Sequence, residues 1–68
     1  MSAEDALHAA RHRIYESLPD DSMPAKQFVI GFDNRGRLLE LVILTFDSGN
    51  QLLIHAMKVR RHLLDLID

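Results

Sequence analysis

The longest apolar stretch is Arg37-Leu38-Leu39-Glu40-Leu41-Val42-Ile43-Leu44-Thr45-Phe46, set between two polar segments, Asp33-Asn34-Arg35-Gly36 and Asp47-Ser48-Gly49-Asn50. Ten residues, rich in aliphatic and β-branched types, between turn-forming segments predict a β-strand. Alternation places Leu39, Leu41 and Ile43 on one face and Leu38, Val42, Leu44 and Phe46 on the other. Both faces are apolar, so both want cover. Residues 27–32 and 51–56 predict two flanking strands. In the first, Phe28, Ile30 and Phe32 share a face. In the second, Leu52 and Ile54 point inward on one face, with Leu53 and His55 on the other. The two polar segments predict hairpin loops, with Asp and Asn at the first turn positions and Gly36 at a position of positive φ.

Ahead of the strands, Ser2 can cap a helix, and Glu4 and Asp5 suit the positive end of a helix. Ala3, Leu7, Ala10, Ile14 and Leu18 recur at helical spacing and predict an apolar stripe, which Pro19 ends. His8, Arg11 and Tyr15 form an adjoining i, i+3, i+7 set, with His12 beside them. Residues 20–26 read as a polar, irregular connection. After residue 56 the period changes. Val59, Leu63, Leu66 and Ile67 predict a helix over residues 58–67, although Lys58, Arg60 and Arg61 crowd its N-terminus against the dipole. The predicted fold is therefore α+β, a three-stranded antiparallel meander flanked by an N-terminal and a C-terminal helix (α-β-β-β-α). With one helix on each face the monomer is closed. With both on one face, the other is left for a partner, and a homodimer through the sheet is expected.

At 68 residues there is room for one domain, residues 1–68. So short a chain buries only about 60% of the surface its unfolded form exposes, and its core supplies only about 3–5 kcal/mol of net stability. With no cysteine, neither disulfides nor thiolate metal sites can add to that. Self-association is one remaining source. Hydrophobic residues at 47% and charged residues at 26% argue against disorder. A net charge of −2 excludes a molecule that binds nucleic acid through its overall charge, so any such role needs a local patch. No apolar run reaches the roughly 18 residues of a membrane span. The polar start Met1-Ser2-Ala3-Glu4-Asp5 lacks a signal-peptide pattern. A soluble, cytoplasmic setting without a membrane partner is expected.

No phosphate-binding glycine loop, helical zinc pair or nucleophile elbow is present, and no cofactor is expected. His8 and His12 stand i, i+4, a spacing that suits two metal ligands, but a third is not in sight, and no metal site is expected. The chemistry-bearing residues are His55, Lys58, Arg60, Arg61 and His62 near the last strand, Arg35 and Arg37 at the turn, and Glu40 within the central strand. His55 is either a general acid or base toward a phosphodiester, or a strand-end histidine bonded to backbone. Glu40 interrupts an apolar face, and a buried carboxylate must be paired or neutral. Arg37, Arg11 and His55 are its candidate partners. It is either half of an ion pair at a sheet edge or a catalytic base. Lys58, Arg60 and Arg61 either hold phosphates or form a solvated helix end. Tyr15 either stacks on a base or is a half-buried helix residue.

The segments Gly36-Arg37-Leu38-Leu39-Glu40-Leu41-Val42 and Ile54-His55-Ala56-Met57 together resemble a group of small bacterial proteins, short relatives of BrnT-type toxins within the RelE-like ribonuclease fold. In those proteins a Gly-Arg-Leu-Leu strand is followed by a hairpin, a second strand ending in a similar motif, and a basic segment. The likeness spans about Phe28 to Arg61, and Met57 stands where such toxins often carry arginine. The resemblance implies an antiparallel sheet with helices, a partner antitoxin, and RNA cleavage by attack of a ribose 2′-hydroxyl on the adjacent phosphate. His55, Arg60 and Glu40 are then the catalytic candidates, with Lys58 an alternative to Arg60. Arg11, Arg37, Lys58 and Arg61 are the candidates for holding nucleic acid.

Overall fold

The computed structural model describes residues 2–67. Helix α1 (Ala3–Arg11) is followed by strands β1 (Arg13–Glu16), β2 (Ala25–Phe32), β3 (Leu38–Thr45) and β4 (Gln51–Lys58), then by a 3-10 segment, η1 (Arg61–Ile67). The strands form one antiparallel sheet in the order β1-β2-β3-β4. The protein is α+β, but the sheet has four strands rather than three, and no C-terminal α-helix is present among the described residues.

The central strand forms as its pattern predicts. Leu39, Leu41 and Ile43 are buried against Ala6, Ala9 and Val29 beneath α1. Both hairpins close as expected: Asp33 N–H donates to the Arg37 carbonyl, and Phe46 N–H donates to the Asn50 carbonyl. Gly36 sits at φ 78° and Gly49 at 90°. Asp33 organises the first turn. Its carboxylate accepts from the backbone of Arg35 (2.9 Å) and Arg37 (2.8 Å) and from Arg37 Nε at 2.6 Å. Burial pushes the Asp33 carboxyl up, but these donors outweigh burial and hold it below its ordinary range. Arg37 Nη2 also reaches Asp5 at 3.5 Å, tying the turn to the start of α1. Asp33→Ala is expected to lower the urea midpoint and speed amide exchange at Arg35 and Arg37. An unchanged midpoint would contradict this role.

The first helix is shorter than predicted and packs through another stripe. Ser2 and Asp5 form the reciprocal cap, each side chain accepting from the other's backbone N–H. The buried positions are Asp5, Ala6 and Ala9. Leu7 and Ile14 are about half exposed and Leu18 is 89% exposed. The closest approach decides the face. A Cβ on Gly31 would overlap the Ala9 carbonyl oxygen and come within 3.0 Å of the His12 oxygen. Helix and sheet meet backbone to backbone, which only a glycine facing alanines allows. The helix ends at Arg11, with His12 as its C-cap. Ile14 and Tyr15 suit a strand, and residues 13–16 add to the β2 edge as β1. Tyr15 therefore sits opposite Ile30 and meets the Phe28 ring edge-on, away from His8 and Arg11.

Two further departures shape the site. A bulge in β4 near Ile54 breaks the alternation: Ile43 pairs with Leu53, but Val42 pairs with His55. One inserted residue reverses the faces beyond it. Leu53 and Ala56 accordingly pack on the core under α1, while Leu52 and Ile54 are about half exposed. At the C-terminus, β4 runs on to Lys58, and Val59 N–H still donates to the Leu38 carbonyl. The chain then turns across the second face of the sheet, and η1 reaches β1. The basic residues would oppose an α-helix dipole at this point. Leu63 is half-buried, while the Leu66 and Ile67 side chains lie outside the described residues.

Candidate functional site

The second face of the sheet holds a carboxylate that water does not reach. Glu40 lies mid-strand in β3, between Ile30 on β2 and Met57 on β4, and it and Ile30 are wholly buried. Its charge is met by four donors. Oε2 accepts from the Arg60 backbone N–H (3.1 Å) and Nε (3.2 Å). Oε1 lies 3.0 Å from Arg60 Nη2 and 3.3 Å from His55 Nε2. Burial pushes the Glu40 carboxyl up, but the Arg60 backbone, the Arg60 guanidinium and His55 together outweigh it, so the pKa lies below its ordinary value and the group is ionised at neutral pH.

The ionised carboxylate fixes the histidine. A carboxylate only accepts, so His55 Nε2 carries the hydrogen in this contact and Nδ1 of the neutral ring keeps a lone pair. The ring is 40% exposed, and no hydrogen bond reaches Nδ1 among the described residues. The Arg60 side chain, 54% exposed, spends Nε and Nη2 on Glu40 and presents its outer edge to solvent. The sequence places Glu40 and His55 on facing strands. Arg60 arrives because β4 ends and the chain folds over the second face.

These groups border an open concavity of about 370 Å³ lined by Lys26, Phe28, Glu40, Val42, Ile54, His55 and Arg60. Its floor is apolar and its rim cationic. Lys26 precedes Phe28 and Ile30 on their face of β2, an alternation that the sequence alone does not tie to a site. Phe28, Val42 and Ile54 carry no group that marks them as site residues in the sequence, and the Ile54 position follows from the bulge.

Of the expected residues, His55, Arg60 and Glu40 converge. The candidates for nucleic-acid binding do not. Arg11 and Lys58 are exposed at the end of α1 and of β4, and Arg37 is engaged by Asp33 and Asp5. Arg61 alone of the four belongs to the segment that crosses the second face. Glu40 is paired by His55 and Arg60 in the sheet interior, not by Arg37 or Arg11 and not at an edge. His8 Nδ1 lies 2.9 Å from the Phe32 carbonyl oxygen, with the His12 ring 4.1 Å from its own. No protein-family model, curated protein or solved structure matches the chain.

Proposed function

We propose that the protein is a toxin-like, RNA-directed protein that cleaves single-stranded RNA in the concavity bordered by His55 and Arg60. The observation that supports this reading is the buried Glu40 carboxylate, which holds one imidazole and one guanidinium together at the mouth of a single cleft. A basic nitrogen beside fixed cations is what transfer to a ribose 2′-hydroxyl requires. His55 Nδ1 takes the 2′-hydroxyl proton as the 2′-oxygen bonds to phosphorus. The bond from phosphorus to the 5′-oxygen breaks, and the leaving oxygen takes a proton from solvent at the open mouth. Glu40 stabilises the imidazolium through Nε2, and Arg60 and Lys26 offset the growing phosphorane charge. The apolar floor of Phe28, Val42 and Ile54 receives a base. The kinship to BrnT-type toxins belongs to this proposal, as does an antitoxin partner that would cover the cleft.

The test is cleavage of a labelled single-stranded RNA by protein freed of any co-purifying partner. The expected products carry a 2′,3′-cyclic phosphate and a 5′-hydroxyl. His55→Ala is expected to slow cleavage by about 10²–10⁴-fold, the usual contribution of a general base, with an unchanged circular dichroism spectrum. RNA with a 2′-deoxy group at the scissile position should bind and remain intact. Absence of cleavage by the wild type would remove the catalytic reading. Absence of salt-dependent RNA binding as well would remove RNA as the ligand.

A further inference from the structure

Strand β4 forms one margin of the sheet, and among the described residues nothing pairs with its outer side. It is eight residues long and carries Leu52, Ile54 and Met57 at 52%, 49% and 37% exposure. The opposite margin, β1, has only four residues, with Arg13 and Glu16 ion-paired along it. Long apolar edges are templates for pairing with another chain, and soluble proteins usually blunt them with charge. On β4 the only permanent charge is Lys58 at the very end.

We propose that a second copy of this chain pairs along β4, antiparallel, about a two-fold axis between Ile54 and His55. The sequence of the strand is self-complementary in that register. Leu52 lies opposite the partner's Met57, Leu53 opposite the partner's Ala56, and Gln51 opposite the partner's Lys58. The exposed Leu52 and Met57 thus meet each other, the core-packed Leu53 and Ala56 continue the apolar side, and the two lysines are kept apart. The bulge near Ile54 falls on the axis, so the regular halves of the two strands face each other. Sliding the pairing by two residues sets Leu52 opposite the partner's His55, or Leu53 opposite the partner's Lys58. The edge offers two-fold symmetry of the commonest kind for a homo-oligomer, in a chain with little core of its own.

Pairing also brings the two clefts together, because His55 and Ile54 line the cleft and lie at the axis. The two clefts then lie side by side on one face, with Lys26, His55 and Arg60 contributed twice. What this means for cleavage rests on the RNA-cleaving reading above. The pairing does not, and its test contains no RNA.

Sedimentation equilibrium at micromolar concentrations should give twice the 7.8 kDa chain mass, and Leu52→Lys should return it to the monomer mass with an unchanged circular dichroism spectrum. The register is tested by disulfide trapping, which a chain without cysteine makes clean. In the double variant Leu52→Cys with Met57→Cys, the two positions are about 16 Å apart within one strand at roughly 3.3 Å per residue, too far for an internal bridge. Oxidation should convert most of this variant to covalent dimer, and either single variant several-fold less. A monomer at every concentration would overturn the dimer. Equal trapping of single and double variants would overturn the register.

Discussion

Gly31→Ala is expected to remove most of the protein's stability at room temperature. The added methyl would overlap the Ala9 carbonyl oxygen and press on the His12 oxygen, so α1 must lift from the sheet or the sheet must bend. Neither obstacle is a flexible side-chain tip. Overpacking against side chains costs about 1–3 kcal/mol, and backbone that cannot turn aside places this change at or above the top of that range. A chain this small has only about 3–5 kcal/mol to lose. Lifting α1 also exposes Ala6, Ala9, Val29 and Leu41, which together form much of its core. Gly36→Ala is the control: nothing lies within 4 Å, so only the positive φ of 78° opposes it, at about 1–2 kcal/mol. Urea titrations of both variants decide the matter. Equal midpoints would contradict the close contact between α1 and β2.

The second large effect is expected from Glu40→Gln. The amide keeps the shape but turns an NH₂ toward donors on Arg60 and His55. Loss of charge-assisted hydrogen bonds is worth about 2 kcal/mol here, because the guanidinium stays half exposed and hydrated. On the RNA-cleaving reading proposed above, the functional loss is larger, since His55 loses its orienting partner and Arg60 its anchor. Cleavage should fall nearly as far as in His55→Ala, while Lys26→Ala should act on RNA affinity more than on the rate at saturation. Acid should imitate the substitution. With its folded pKa depressed below the ordinary 4.5, Glu40 contributes stability that is fully present above that value and lost as pH falls through the folded pKa. Asp33 acts in the same sense from its ordinary 3.8. The urea midpoint of the wild type should therefore fall below about pH 4.5, and less steeply in Glu40→Gln. Parallel pH profiles would show that the carboxylate is not ionised as described.

The strand pattern carried most of the fold. Leu39, Leu41 and Ile43 could serve only one face, and the polar segments closed by Gly36 and Gly49 left little choice of hairpin. The helix boundaries were less legible. Leu7, Ile14 and Leu18 outrank Ala6 and Ala9 in hydrophobicity, yet the alanines pack, because Gly31 lets the backbones touch. That preference involves residues more than twenty positions apart and has no local signature. Tyr15 continues a helical spacing, and only the open edge of β2 makes it a strand residue. The site was half legible. A lone carboxylate in an apolar strand announced a buried pair, and His55 was within reach on either reading. Arg60 as its main partner depended on the turn after β4, and Ile54 as a lining residue depended on a bulge that no local residue type announces.

The arrangement of Glu40, His55 and Arg60 is read most directly by long-range ¹⁵N–¹H correlation spectra of the His55 ring at pH 8.5. The geometry requires hydrogen on Nε2, a lone pair on Nδ1, and a downfield Nε2 proton that disappears in Glu40→Gln. A ring with its hydrogen on Nδ1, or a spectrum unchanged by Glu40→Gln, would contradict the site.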